Sequence, residues 1–262
     1  MSAPILENKN PNRPSVFQPR ALLREARRQK GLPEAEVPRL CILDPDGDIV
    51  RALAGSGRAR RFAGWPCYHT ELYTFELGNR TTGIIGHAVG ASFAVLVAEE
   101  LFASGCKLLI SLTSAGQIVP AGDPPYFVVI DRALRDEGTS YHYAAPAEYA
   151  DGNARLVAAA ENAAKSTGLS VVVGASWTTD APFRETEEAI HAARIKDLLA
   201  VEMEAAALYS FARYANVDVL CLAHVTNTMG VAEQDFEKGE ADGTADALRL
   251  LGAVSDQLCA AG

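Results

Sequence analysis

Two glutamates lie close together in the segment LLAVEMEAAALYSFARYA, residues 198–215. The apolar spacing of this segment predicts an amphipathic helix, in which each residue turns about 100°. Glu204 then lies on the apolar face with Leu208, and Glu202 lies roughly opposite. A buried carboxylate loses on the order of several kcal/mol of solvation unless it is paired or hydrogen-bonded. Glu204 therefore requires a partner; the alternative is a first-turn acid stabilised by the helix dipole.

Small polar residues follow three predicted strands. They are TSAGQ at 113–117, TTDAPFRE at 178–185 and HVTNT at 224–228. In a mostly parallel sheet, ligands bind beyond the carboxyl ends of the strands. We therefore expect these three ends to meet the start of the Glu202 helix in one place.

Strands and helices alternate along the chain. The pattern predicts strands at 40–44, 71–77, 82–86, 107–116, 126–134, 170–180 and 218–227, with helices at 91–105, 154–168, 198–215 and about 243–260. This alternation predicts an α/β fold, a single three-layer α/β/α domain with a mostly parallel, twisted central sheet. We assign residues 1–35 to an N-terminal arm with a short basic helix and residues 36–262 to the domain.

The composition is that of a globular protein, with 48% hydrophobic and 22% charged residues among 262. The net charge of −9 argues against nucleic acid as a partner, because phosphate backbones need concentrated Lys and Arg. The chain has neither a signal-peptide pattern nor an apolar run of membrane-spanning length, so we expect a cytoplasmic protein that does not bind membranes. Five widely spaced cysteines without a C-x-x-C pair are typical of thiols in a reducing compartment.

Common catalytic and cofactor motifs are missing from the sequence. It has no G-x-x-x-x-G-K-[ST] loop, no G-x-S-x-G elbow and no H-E-x-x-H pair. The glycine-rich stretch GSGRARR, residues 55–61, lacks the rest of the dinucleotide-binding spacing. We therefore expect neither a metal nor an organic cofactor.

Several segments in order resemble the nucleoside phosphorylase family, which includes uridine phosphorylase, hexameric purine nucleoside phosphorylase and methylthioadenosine nucleosidase. VEMEAAALYSFAR is similar to the ribose-binding segment of that family. GHAVGASFAVLVAEELFASGCKLLISLTSAG, DEGTSYHYAAPAEY, VGASWTTDAPFRET and AHVTNT match further segments of the family. The likeness spans about residues 40–262, and the uridine phosphorylase branch is the most similar.

The resemblance implies a ribose site and a phosphate site. Glu204 would bind the 2′ and 3′ hydroxyls, with Met203 packed beside the sugar and Glu202 near the same hydroxyls. The substrate diol would then be the partner that a buried carboxylate needs. The phosphate site would comprise Ser114, Ala115, Gly116, Gly47 and Arg51.

The resemblance also implies a base site. Asn227 lies where purine enzymes of the family often carry a catalytic Asp and uridine phosphorylase carries Asn. Asp180 ends the segment that leads to the base-binding loop. Arg184, in the same loop, is a candidate for a base or phosphate contact, unless it is an ordinary surface arginine.

Three family arginines are replaced in this chain. Ser111 and Thr70 stand where the family has a second phosphate arginine and an arginine from the neighbouring subunit, and Thr228 replaces a base-reading arginine. Neither Ser nor Thr supplies the charge of a bidentate arginine. Compensation by one of the arginines of GSGRARR is a further possibility.

The resemblance implies reversible phosphorolysis of a nucleoside, favouring a uridine-like pyrimidine, with inorganic phosphate as co-substrate and no other cofactor. The loss of arginines leaves two alternatives, a nucleoside hydrolase of the same fold and a non-catalytic nucleoside-binding protein. The family also implies a homo-oligomer, either a dimer or a hexamer.

Overall fold

The computed structural model describes residues 3–229, 236 and 238–260, so the outermost residues of the predicted arm and domain lie outside it. Ten strands are described: β1 Leu40–Asp44, β2 Ala59–Arg61, β3 Tyr73–Leu77, β4 Arg80–Gly86, β5 Leu108–Gln117, β6 Tyr126–Asp136, β7 Tyr149–Asp151, β8 Val171–Thr179, β9 Ala200–Glu202 and β10 Asp218–Asn227. Seven α-helices are described: α1 Pro19–Lys30, α2 Asp48–Gly55, α3 Ala91–Ala103, α4 Ala154–Ala164, α5 Glu187–Ile195, α6 Ala205–Ala215 and α7 Thr244–Ala260.

The strands form one mixed sheet. Strand β1 pairs in parallel with β4 and β5, and β5 pairs in parallel with β10 over the length of both strands. Strand β6 pairs in parallel with β8, whereas the pairings of β2 with β3, β3 with β4 and β6 with β7 are antiparallel. The short strand β9 pairs with both β8 and β5, so it joins their carboxyl ends. The predicted α/β architecture is confirmed.

Each face of the sheet carries its own apolar core. Along β1, Cys41 and Leu43 pack in the core beneath α3 and α6, while Leu40 and Ile42 pack in the core beneath α2, α4 and α7. Successive side chains of a strand point to opposite faces, so a strand covered on both sides is apolar throughout. This explains the uninterrupted apolar run of LCILD and establishes the three layers.

The predicted helix at 198–215 is wrong in its first third. Residues Ala200–Glu202 form β9, and the helix starts at Ala205. The short apolar run before Glu202 has no periodicity that separates a buried strand from a helix. Pairing of β9 with β5 and β8 decides the matter, because it satisfies the backbone groups that a helix would otherwise pair.

Helices α2 and α5 and the short strands β2 and β7 were not predicted. The basic helix of the arm, α1, buries Leu23 and Ala26 and packs against α3 of the same chain. No helix in the described part of the chain combines the length and the apolar character needed to cross a membrane.

Tyr209 joins α6 to the sheet. Its hydroxyl donates to the Ile130 carbonyl at 2.6 Å and accepts from the Cys221 amide at 3.0 Å. The side chain is buried, so these two main-chain groups have no access to water. The hydroxyl thus joins α6 to both β6 and β10.

Tyr209→Phe is therefore expected to lower the free energy of unfolding by about 1–3 kcal/mol, the usual effect of leaving buried polar groups unsatisfied. Urea denaturation measures this change. Tyr214→Phe, on the same helix but 41% exposed, is the matched control and should stay within about 0.5 kcal/mol of wild type. Equal stability of the two variants would contradict the role given to the Tyr209 hydroxyl.

Candidate active site

Glu204 is the residue immediately before α6, and its side chain is 1% exposed. Its carboxylate accepts hydrogen bonds from the main-chain amide of Gly90 at 2.7 Å and from the amide of Met203 at 3.3 Å. The hydroxyl of Thr113, near the end of β5, lies beside the same carboxylate. The sequence-based expectation that Glu204 points inward agrees with this placement, although the residue precedes the helix instead of lying on it.

The Glu202 carboxylate accepts hydrogen bonds from strand β8 and from the start of α6. Its carboxylate accepts from the Ser176 hydroxyl at 3.0 Å and from the Thr178 hydroxyl at 2.5 Å. The other oxygen accepts from the amides of Glu204 and Ala205, both at 2.7 Å, and so caps the start of α6. Four donors of the protein therefore occupy its two oxygens, and a position of Glu202 near the ribose hydroxyls stays a prediction.

The two buried acids titrate together. Burial, followed by the negative charge of Glu202, raises the pKa of Glu204 to about 8, against the hydrogen bonds from Gly90, Thr113 and Met203. Burial also raises the pKa of Glu202, but four hydrogen bonds favour its ionised form. With a pKa of about 8, the Glu204 carboxyl is mostly protonated at pH 7.

A second polar cluster lies where β1 and β5 end. Asp46, in the turn between β1 and α2, accepts from the Ser114 amide and from the Ser114 hydroxyl, each at 3.0 Å. Lys238 forms an ion pair with Asp48 and lies 3.9 Å from Asp46. A carboxylate of the protein thus occupies the donors of Ser114 that were predicted to bind phosphate.

The charge of this cluster is mainly negative. Burial, with smaller contributions from Asp46 and Asp48, raises the pKa of Asp44 to about 6. Burial and the charge of Lys238 lower the pKa of His224 to about 4, so this imidazole is neutral at pH 7. Lys238 is the one cation among the described residues that line the cluster, and Arg51 pairs with Asp48 from its solvent side.

Arg51 lies on the outer face of α2. Its side chain is 63% exposed and donates to Asp48 at 2.8 Å. Ile49, Val50 and Leu53 turn inward and leave Arg51 on the solvent side of Asp48, and its contact with phosphate stays a prediction.

Gly47 is required by the backbone geometry of the turn between β1 and α2. Its φ of 77° is left-handed, and a Cβ there would lie 2.0 Å from the His87 imidazole. Glycine at position 47 thus allows the turn that contains Asp46 to lie against the His87 imidazole.

Asn227 ends β10 next to the carboxyl end of β5. Its amide nitrogen donates to the Ala115 carbonyl at 3.5 Å, and its oxygen accepts from the Met229 amide at 3.0 Å. Gly116 lies against Asn227 and Met229, since a Cβ there would lie 2.3 Å from the Met229 sulfur and 3.2 Å from the Asn227 oxygen. The structure therefore brings Ala115, Gly116 and Asn227 together, as the strand-end argument predicted.

The predicted base-loop residues are separate from these contacts. Asp180 is exposed and accepts from the Gly138 amide at 2.8 Å. Arg184 is exposed on the 3₁₀ turn Pro182–Arg184 that follows β8. The contacts described here do not join either residue to Glu204, Ser114 or Asn227.

The positions of the missing arginines are filled by neutral groups. Ser111 is buried, and its hydroxyl has no hydrogen-bond partner among the described residues. The hydroxyl of Thr70 accepts from the Trp65 indole at 2.9 Å. Arg61 is exposed and pairs with Glu71, so it does not replace the missing charge.

Sequence reasoning missed three residues of the site, namely Asp46, Gly90 and Lys238, whereas Thr113 begins the strand end TSAGQ that was predicted to lie there. Asp46 follows a predicted strand in the acidic turn DPDGD, so the strand-end argument used for the other segments also applied to it. Gly90 has a φ of 88° and precedes α3, a position that the glycine itself signals. No comparable local signal marks Lys238, which is distant in sequence from its partner Asp48.

The raised pKa of Glu204 predicts a pH-dependent stability. An unfolded glutamate titrates at a pKa of about 4.3, so the folded state binds an extra proton between roughly pH 4 and 8. Stability from this group is fully present below that window and is lost as the pH rises through it. Relative to Glu204→Gln, the wild type should lose on the order of a few kcal/mol between pH 5 and 8.5. Chemical denaturation at several pH values measures this; parallel curves for the two proteins would contradict it.

The chain is similar in sequence to known phosphorylases. Residues 39–255 match the family model described as Phosphorylase superfamily. The guanosine phosphorylase of Halorubrum lacusprofundi is 30% identical over 68% of this chain and 78% of its own. The uridine phosphorylase of Thermococcus kodakarensis is 25% identical over 82% of this chain and 83% of its own.

A solved structure shows the same fold. The uridine phosphorylase of Vibrio fischeri superposes with a TM-score of 0.74 at 19% identity, covering 88% of this chain and 98% of that one. Together with the family match over most of the sequence, this identifies the chain as a member of the phosphorylase superfamily, to which the nucleoside phosphorylases belong.

Proposed function

We propose that this protein cleaves the N-glycosidic bond of a nucleoside and transfers the ribosyl group to a small acceptor. The observation that supports the proposal is the buried Glu204 carboxylate, which lies beside Thr113 and at the junction of β9 and α6. A carboxylate so placed is an acceptor for the two adjacent hydroxyls of a pentose. Family membership supports the reaction class, and the burial of Glu204 supports the choice of this residue.

Glu204 acts by positioning the sugar. The bond between sugar and base lengthens in the transition state, and the sugar acquires oxocarbenium character as in other glycosidic cleavages. Two hydrogen bonds from the sugar to one carboxylate fix the anomeric carbon relative to the acceptor, and such positioning supplies much of the rate. Binding of the diol also favours the ionised form of Glu204, because both hydroxyls donate to it.

Asn227 supports a pyrimidine as the preferred base. Its amide is held by Ala115 and Met229, and an amide has no proton to give to a purine ring nitrogen at neutral pH. Relatives of this chain include phosphorylases of purine nucleosides, of guanosine and of uridine, so family membership alone leaves the base open. We propose uridine as the first substrate to test.

We propose the position of the ribosyl acceptor from the residues around Ser114. Phosphorolysis with inorganic phosphate is the reaction named for these relatives, and it was predicted from the sequence. Ser114 carries the predicted phosphate position in this chain, and its amide and hydroxyl donate to Asp46, which a phosphate would have to displace. Assembly as a dimer or hexamer, and Arg184 and Asp180 as contacts of the base, remain predictions.

Glu204→Ala should reduce kcat/KM for uridine by at least about 100-fold, because it removes two hydrogen bonds to a charged group worth about 1.5–3 kcal/mol each. Release of uracil, measured by absorbance in phosphate buffer, gives the rate, and circular dichroism verifies the fold. Glu161→Ala, an exposed glutamate on α4, is the control and should retain wild-type activity. Full activity of the Glu204 variant would refute the proposed ribose contact.

Asn227→Asp should shift the preference toward purine nucleosides, because a carboxylic acid is able to protonate the leaving purine. We expect the ratio of kcat/KM for inosine to that for uridine to rise by about 10-fold or more, within the range of general acid catalysis. Parallel assays of both nucleosides with wild type and variant provide the ratio. An unchanged ratio would show that Asn227 does not determine the base.

A further inference from the structure

Glu100, on α3, is a buried acid that has no part in the proposed reaction. The residue is 2% exposed, and neither carboxyl oxygen has a hydrogen-bond partner among the described residues. Glu202 is buried to a similar extent but accepts four hydrogen bonds. A carboxylate that is buried without donors is strongly destabilised, whereas its protonated form is tolerated. Ionisation of Glu100 therefore favours an arrangement of the chain in which water reaches it.

Helix α1 and the segment 65–70 lie over Glu100. Helix α1 packs against α3, and the Cys67 thiol of the segment lies beside the Glu100 carboxyl group. The ammonium of Lys30, the last residue of α1, donates to the carbonyls of Pro66 at 2.8 Å and Cys67 at 2.5 Å. These two hydrogen bonds join the helix to the segment, so both cover this part of α3 together.

Burial outweighs the charges that act on Glu100. It raises the pKa of the Glu100 carboxyl, against the Cys67 thiol and the positive charges of His69 and Lys30. The negative charge of Glu99, the preceding residue of α3, adds to the effect of burial. Lys30 donates to main-chain carbonyls, and the described ion pairs do not join it to Glu100. Among the described residues, no cation thus binds the ionised carboxylate directly.

Loss of the proton from Glu100 opposes the packing of α1 on α3. In the packed state the pKa of Glu100 is raised. Once α1 and the segment 65–70 separate from α3, water solvates the carboxyl group and its pKa returns toward the usual value. The packed state therefore binds the proton more tightly than the separated state. Its stability is fully present at a pH below the usual glutamate pKa and is lost as the pH rises through the raised pKa.

We propose that Glu100 is a pH-sensitive switch for the packing of the N-terminal arm on the domain. When Glu100 is protonated, α1 and the segment 65–70 pack against α3; when it is ionised, they separate from α3 more often. Separation opens a cavity of about 900 Å³ that the arm forms with α3 and α6, and it exposes the rings of Phe102 and Phe211 that line this cavity. The switch does not depend on the proposed reaction, so each is tested separately.

Hydrogen exchange followed by mass spectrometry on the full chain measures this separation. The opening constant of the α1 amides, residues 19–30, is compared with that of the α4 amides, residues 154–164, after correction for intrinsic exchange rates. In wild type this ratio should rise by about 10-fold or more between roughly pH 5 and 8.5, since each unit of pKa shift changes the equilibrium about tenfold. A constant ratio would overturn the proposal. A falling ratio would also overturn it, because Lys30 would then pair with the ionised Glu100 and strengthen the packing.

Glu100→Gln keeps the size of the side chain and removes its titration. The ratio for this variant should not change with pH, and Glu100→Met gives the same test if Glu100→Gln does not fold. Glu25→Gln, an exposed glutamate on α1 itself, is the matched control and should keep the pH dependence of wild type. A pH dependence that survives in both Glu100 variants would assign it to another group and overturn the proposal. These measurements use no nucleoside, so their outcome leaves the proposed N-glycosidic cleavage untouched.

Discussion

The capping of α6 by Glu202 is the interaction on which the rest of the site depends. This carboxylate binds two hydroxyls of β8 and two amides at the start of the helix, and so joins β8, β9 and α6 at one point. The main-chain amide of Glu204 is one of these capped groups, so the cap fixes the backbone from which the Glu204 side chain projects. The energetic penalty of burying one acid is thus offset by hydrogen bonds, and that acid holds a second one inside the site.

The two acids show why neighbouring glutamates take different roles. Glu202 is surrounded by donors of the protein and has no free acceptor capacity, whereas Glu204 has fewer protein donors and a raised pKa. A carboxylate with unused acceptor capacity in a buried place is suited to bind hydroxyl groups of a ligand. Glu202 therefore fixes the backbone that positions Glu204.

In the region around Ser114, by contrast, a carboxylate of the protein occupies the hydrogen-bond donors. In a phosphorylase the donors near Ser114 would be free for phosphate, and arginines would balance its charge. In this chain Asp46 accepts from Ser114, and the positions of two family arginines hold Ser111 and Thr70, which are neutral. A common fold thus carries different charges at the position predicted for phosphate, in line with the general rule that chemistry depends on the site more than on the fold.

The sequence by itself determined the α/β class, the family and most of the long elements. Continuous apolar strands such as LCILD and glycine-terminated helices carry that information locally, because burial on both faces requires apolar residues at every position. The family motif likewise indicated that Glu204 turns inward. These features depend on neighbours along the chain, so they are visible without coordinates.

Tertiary structure alone decided which of these residues contact one another. The role of Glu202 follows from the pairing of β9 with β8, and the solvent exposure of Arg51 follows from the orientation of α2 against the sheet. The contact of Asp46 with Ser114 joins residues 68 positions apart, and that of Lys238 with Asp48 joins residues 190 apart. Contacts across such separations depend on how the strands are ordered in the sheet, and residue spacing along the chain does not specify that order.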